Sequence, residues 1–227
     1  MNIFSGNRTL VMGIVNVTPD SFYDGGRHAD ASSACEHALK LLSEGADILD
    51  IGGESTRPGA EFISGDEEMS RVIPVIKGVL KNAPGAFISV DTWKSAVAEA
   101  ALSAGARMVN DISGFNADDR MCGVCAAHDA YAVLMHMRNT PKTMQDDLEY
   151  EDIISDIEAS LRKSAERAVS GGVKKEKIVI DPGIGFSKSV EHNYRIINNI
   201  ARFKRMGFPV LIGLSRKSLI GKVIPEG

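Results

Sequence analysis

KIVIDPGIGF, residues 177–186, is a short β-rich run that ends on a carboxylate and then turns on two glycines. The glycines suggest a phosphate cradle. A P-loop requires G-x-x-x-x-G-K-[ST], however, and a dinucleotide site requires G-x-G-x-x-G, and this stretch has neither. It is instead a strand whose C-terminal end carries Asp181. The same design recurs in LVMGIVN (10–16), DILDIG (47–52), AFISVD (86–91), RMVND (107–111), YAVLMHM (131–137) and PVLIG (209–213). Several of these runs are almost continuously apolar, as expected of parallel strands covered on both faces. Stretches with helical periodicity lie between them, such as ASSACEHALKLLSEG (31–45) and VEHNYRIINNIARFKRMG (190–207), and Gly45, Gly105, Gly171 and Gly207 supply their stops.

Alternating strands and helices mean a parallel sheet, either open and doubly wound or closed as a (β/α)8 TIM barrel. The polar residues decide for the barrel. Asn16, Glu54, Asp91, Asn110, His136, Asp181 and Lys217 all stand at or just after the C-terminal ends of strands. In a barrel those ends converge on one mouth, whereas an open sheet concentrates function at a switch point. No Pro/Ser-rich linker divides the chain, so residues 1–227 are read as a single α/β domain. The residues beyond Gly213 are too few for another strand–helix unit, which needs about 30 or more. About seven of the eight βα units are therefore expected, a barrel that is C-terminally incomplete.

Composition narrows the function classes. The formal net charge of -4 offers no field for nucleic acid or an anionic membrane. No apolar run approaches the ~20 residues of a membrane span, and the start lacks a basic, then apolar, secretory pattern. The three cysteines are an odd number and suggest no disulfide framework, so the cytoplasm is the expected location. Cys122, Cys125 and His128 have a metal-like spacing, but no second ligand pair follows, and they are read as one side of a helix.

The motifs then become specific. GIVNVTPDSFYDGG (13–26), GGESTRPG (52–59), SVDTWK (89–94), NDISG (110–114), MHMRNTPKTMQ (135–145), DPGIGF (181–186) and GLSRKS (213–218) follow in the order and spacing of the dihydropteroate synthase family, which the chain resembles from about residue 8 onward. The resemblance implies a pterin-binding TIM barrel. It also implies a transferase that condenses 6-hydroxymethyl-7,8-dihydropterin pyrophosphate with p-aminobenzoate in folate synthesis. The family's pterin contacts match Asp91, Asn110, Ile112, Asp181 and Lys217, with Asp91, Asp181 and Lys217 in the catalytic set. Its p-aminobenzoate contacts match Thr56, Arg57, Pro58, Phe186 and Ser218. Its Mg2+ ligand matches Asn16, with Asp24 a weaker candidate, and Arg216 has no assigned part. A homodimer is the family's usual state. PDSFYDGG and ESTRPGAEF match loops that close over p-aminobenzoate.

The residue chemistry agrees with that resemblance. A pterin edge offers an N–H and an amino group side by side, and a strand-end carboxylate can accept both in a charge-assisted pair. An amide such as Asn110 supplies donor and acceptor together. An aniline is weakly basic and needs little deprotonation, so no histidine base is required, and His136 is read either as a residue supporting the site from behind or as packing. Two alternatives share the pocket: a methyltetrahydrofolate–corrinoid methyltransferase, and a pterin-binding module without turnover. SRKS and STRPG favour the synthase over the methyltransferase.

Overall fold

In the computed structural model, residues 3–6, 8–18, 27–55, 62–138, 148–215 and 217 are described. Six parallel strands, β1 (Met12–Asn16), β2 (Ile48–Gly52), β3 (Ile88–Asp91), β4 (Met108–Asp111), β5 (Tyr131–Met135) and β6 (Ile178–Asp181), pair in strictly sequential order. Between them run α1 (Arg27–Ser43), α2 (Gly65–Asn82), α3 (Ser95–Ser103), α4 (Met121–Ala127) and α5 (Ile153–Ser170), and α6 (Val190–Asn198) and α7 (Ile200–Lys204) follow β6.

Each strand obeys the period of two, and its two faces meet different partners. Leu49, Ile51, Ile88, Val90, Val109, Leu134, Ile178 and Ile180 pack against helix residues such as Val72, Ala98, Leu161 and Ile196 in one large core. Burying each such side chain stabilises the fold by about 1.5–3 kcal/mol. The alternate residues Ile48, Phe87, Met108, Tyr131, Val133 and Val179 form a second cluster to which no α-helix among the described residues contributes. Helices on one face only, with a strand order that never reverses, are the arrangement of a (β/α)8 barrel; a doubly wound sheet carries helices on both faces. The barrel expectation is met.

The second cluster is the floor of the barrel interior. Phe4, in a short 3-10 turn over Ile3–Ser5, meets the Tyr131 ring edge-on at 5.5 Å, and Phe87 meets the same ring at 5.6 Å. The Arg107 guanidinium covers Phe87 at 4.5 Å. This apolar plug fills the N-terminal end of the strands and leaves the polar chemistry to the other end.

Strands β1 to β6 match their sequence predictions to within a residue or two at each end. The seventh run, PVLIG, is reduced to one bridge between Val210 and Ile180, flanked by Ile180 N–H to Pro209 O at 3.0 Å and Leu211 N–H to Ile180 O at 2.9 Å. The helix read over 190–207 is split at Asn199, whose side-chain amide donates back to Arg195 O at 2.8 Å. An asparagine amide competes with the backbone ladder, which explains the break. Cys122 and Cys125 are buried free thiols in and against α4, as their helical reading requires. Burial pushes the Cys125 thiol up to about 12, which disfavours a metal-binding thiolate.

Tyr131 sits at the centre of the aromatic floor and is 5% exposed. Tyr131→Ala should cost about 3–5 kcal/mol in urea unfolding, the range for emptying an aromatic core site. Tyr131→Phe, which keeps the ring, should cost about 1 kcal/mol. Similar losses for the two variants would show that the ring stacking does not hold the floor together.

Candidate functional site

The register of the sheet builds the site. Asn16 pairs with Gly52, Gly52 with Asp91, and Asp91 with Asn110, so one row of positions crosses four strands at their C-terminal ends. Strands lie about 4.8 Å apart, so the row is roughly 14 Å long, the scale of a bicyclic ring with a substituent. Further round, Asp181 pairs with Met135 at the end of β6. Asn16 is exposed at the rim, Asp91 and Asn110 are partly buried, and Ile112 and Asp181 are 6% and 7% exposed. A side chain at Gly52 would start 3.3 Å from Asp91 Cβ, so the glycine leaves the Asp91 carboxyl its space.

The β6–α6 turn holds the opposite wall. Gly183 and Gly185 both adopt positive φ, 69° and 83°, where L side chains are strained. A Cβ on Gly183 would meet His136 O at 2.0 Å, and one on Gly185 would meet Lys217 Cδ at 2.8 Å. The turn can therefore lie directly on the end of β5 and against Lys217. The Gly183 N–H donates to Asp181 Oδ1 at 2.7 Å and orients that carboxyl. Lys217 Nζ stands 4.1 Å from the centre of the Phe186 ring, so this cation and this aromatic are neighbours. The turn ends in a reciprocal cap: Ser189 Oγ accepts from His192 N–H, and the His192 ring accepts from Ser189 N–H.

Structure thus brings Asn16, Asp91, Asn110, Ile112, Asp181, Phe186 and Lys217 to one mouth. Thr56, Arg57, Pro58 and Ser218, with Asp24 and Arg216, lie outside the described residues, as do most of the two long loops expected to close over p-aminobenzoate.

The electrostatics are those of a crowded acidic pocket with few cations. Burial raises the Asp91 carboxyl well above the usual range, and the charges of Asp50, Glu68, Asp111 and Glu54 push it the same way. Burial raises Asp181 to about 6, with the Gly183 N–H and the Lys217 and Lys188 charges opposing. Burial lowers Lys217, while Asp181 and Asp91 pull it back up. His136 is held neutral by burial and by Lys188, down to about 3, so it is no proton acceptor at neutral pH; its ring Nδ1 lies 3.1 Å from Lys188 Nζ, a supporting contact behind the turn.

Two site neighbours escaped the sequence reading. Asp50, in the middle of β2, is 2% exposed; one of its oxygens accepts from the Asn110 side-chain amide at 2.8 Å, and Oδ1 has no hydrogen-bond partner among the described residues. That bond fixes which way the Asn110 amide faces. An acidic residue inside the apolar run DILDIG was the signal available. Lys188 is 5% exposed and donates to Phe186 O at 2.7 Å and His136 O at 3.2 Å, tying the turn to β5. In the sequence it looks like any lysine before a helix.

The family described as "Pterin binding enzyme" matches residues 12–227. A dihydropteroate synthase of Clostridium beijerinckii is 47% identical over 216 residues, which is 95% of this chain and 77% of the relative. That of Bacillus subtilis is 48% identical over 217 residues, 96% of this chain and 73% of the relative. Among solved structures, the Clostridium difficile dihydropteroate synthase in the presence of pteroic acid matches at a TM-score of 0.90 with 48% identity, over 97% of this chain and 81% of its own. The Xanthomonas albilineans enzyme in complex with 7,8-dihydropteroate matches at 0.86 with 39% identity, over 97% and 78%.

The acidic crowding has a consequence for stability. Asp91 titrates higher folded than unfolded, so the native state binds more protons and stability falls as pH rises from about 4 to the folded-state value. Asp91→Asn removes that loss. Its Tm should exceed the parent's by about 2–4 °C at pH 8, with the gain shrinking toward pH 4. Melting curves of both proteins across that range are the check, and a gain independent of pH would contradict it.

Proposed function

The chain belongs to the pterin-binding enzyme family, and from this we propose how its residues carry out the family's dihydropteroate synthase reaction. The enzyme condenses 6-hydroxymethyl-7,8-dihydropterin pyrophosphate with p-aminobenzoate, giving 7,8-dihydropteroate and pyrophosphate. The observation that carries the assignment of roles is the convergence of Asp91, Asn110, Asp181 and Lys217 on one mouth, with Phe186 beneath the lysine. The relatives named for the synthase set aside the corrinoid methyltransferase alternative.

Asp181 accepts from the pterin ring N–H and amino group together, and Asn110, its amide aimed by Asp50, reads the adjoining edge. Lys217 donates to the ring carbonyl and N5, and Ile112 packs against the ring plane. The exocyclic C–O bond then breaks, and its electron pair leaves with pyrophosphate. The positive charge left on carbon spreads into the ring. Asp91 and Asp181 are already in place to stabilise it, needing no reorganisation as the charge develops. The aniline nitrogen forms the new C–N bond and afterwards sheds a proton to water. Thr56, Arg57, Pro58 and Ser218, with Phe186, would hold p-aminobenzoate.

Asn16 is the residue that would hold a Mg2+. Its amide carbonyl is a hard oxygen donor, exposed at the rim where a pyrophosphate would project. Mg2+ commonly keeps several waters and takes one or two protein ligands beside phosphate oxygens, so this sparse donor set fits it. When bound, the ion would neutralise charge on the leaving pyrophosphate.

Supplying p-aminobenzoate and the pterin pyrophosphate should give dihydropteroate and one pyrophosphate per turnover; pterin binding without pyrophosphate release would instead make the chain a binding module. Asp181→Asn should weaken pterin pyrophosphate binding by about 2–5 kcal/mol, because one donor of the pterin then faces another donor. In the parent protein, binding should weaken as pH falls through about 6, where Asp181 protonates and can no longer accept both bonds. Calorimetric titrations of parent and variant from pH 5 to 8 decide the matter. Equal affinities at pH 8 would remove Asp181 from the pterin edge.

A further inference from the structure

Lys188, near the end of the turn after β6, is almost wholly buried, yet among the described residues no carboxylate is bonded to it. Its ammonium donates to Phe186 O and His136 O and stands 3.1 Å from His136 Nδ1. A lysine has three N–H donors, and these three neutral acceptors take them all. A neutral imidazole has one acceptor nitrogen, and the lysine selects Nδ1 for that part. A Cβ on Gly183 would stand 3.2 Å from Lys188 Nζ, so the ammonium lies directly under the glycine whose N–H orients Asp181.

A buried ammonium with only neutral partners leaves a net positive charge inside the wall. Few charged groups surround it. Burial lowers Lys188 most, Asp181 pulls it back up, and Lys217 and Arg138 push it down again. Asp181 in turn feels the charges of Lys217 and Lys188, and His192 of α6 feels those of Arg195, Glu191, Lys188 and Arg138. We propose that Lys188 is a positioning residue for pterin recognition: from behind the turn its ammonium ties the Phe186 and His136 carbonyls together under Gly183 and presents a positive charge to Asp181. Buried there, it acts through Asp181 and not on the ligand. An apolar side chain could fill the same space without the desolvation cost, so the use of the cation is electrostatic. It favours the ionised carboxyl, the form that can accept two pterin donors at once. Lys217 reaches Asp181 from the open mouth, where its donors are spent on the ring; Lys188 is committed to no ligand.

Lys188→Met keeps most of the stem and removes the charge. Lys188→Gln, neutral but still a donor, is the second variant should the first not fold, and Lys188→Arg keeps the charge. The probe is 6-hydroxymethyl-7,8-dihydropterin, the substrate without its pyrophosphate, so that no phosphate titrates; its Kd is read by calorimetry from pH 5 to 8. In the parent, binding weakens as pH falls through about 6, where Asp181 takes up a proton. In the two neutral variants that midpoint should move up by about one unit, because a carboxyl that loses a nearby cation holds its proton more tightly. At pH 6 their affinity, relative to each protein's own value at pH 8, should then be about fivefold weaker than the parent's. Lys188→Arg should keep the parent's midpoint or a lower one, whatever its bulk costs in affinity. A lysine with a purely structural part would change affinity by one factor at every pH and leave the midpoint near 6. That result overturns the inference, and so does an upward move in Lys188→Arg equal to that of the neutral variants. The inference rests on Asp181 as the reader of the pterin edge. If Asp181→Asn binds the probe as the parent does at pH 8, that reading and this inference fall together. If Asp181→Asn loses binding while the neutral Lys188 variants keep the parent's midpoint, only this one falls.

Discussion

Carboxylates crowded on the inner face of a parallel sheet repel one another, and the rest of the structure serves to keep them there. Asp50, Asp91 and Asp181 stand on strands whose outward residues are locked into the main core, so their side chains have no other face to turn to. A slip of one residue in any of these strands would bury the carboxylate among helices and expose an isoleucine or valine. Hydrophobic packing on one side therefore enforces electrostatic strain on the other. In the proposed reaction, a pocket that already disfavours several negative charges is well matched to a ring that becomes positive.

The balance is maintained by few groups. Lys217 faces Asp181 and Asp91, Lys94 bridges Glu54 and Glu68, and Lys188 sits behind the turn with its pKa pulled down to about 7, chiefly by burial. Each cation is attached to a different loop, so charge neutralisation and loop placement are one problem. Changing a charge moves a loop anchor, and moving a loop changes the field in the pocket.

Much of this was legible in the sequence, for a physical reason. Strand ends in a parallel barrel announce themselves because an apolar run must stop on whatever polar residue the mouth needs, as IVID stops on Asp181 and ISVD on Asp91. The resemblance of the motifs then named the roles. What stayed hidden depends on contacts between distant residues. Asp50 reads as an interruption in a strand until its bond to Asn110 is seen, 60 positions away. Glu54 needs Ile63, Trp93 and Lys94 to gain a meaning, and Lys188 needs the carbonyls of β5's end. The seventh run failed as a strand for a related reason: apolar composition marks a candidate, but a ladder needs a neighbour, and among the described residues only Ile180 supplies one.

The turn after β6 limits how this site can drift over generations. Its fit depends on backbone at Gly183 and Gly185, where even a methyl group would collide with the His136 carbonyl or with Lys217. Point changes there offer no graded route to a slightly different pocket, because the smallest available step already displaces the wall. Heritable variation in substrate or inhibitor preference is thereby channelled to neighbours whose side chains can change by degrees, such as Phe186. The turn that carries the carboxylate proposed to read the pterin edge is left almost fixed.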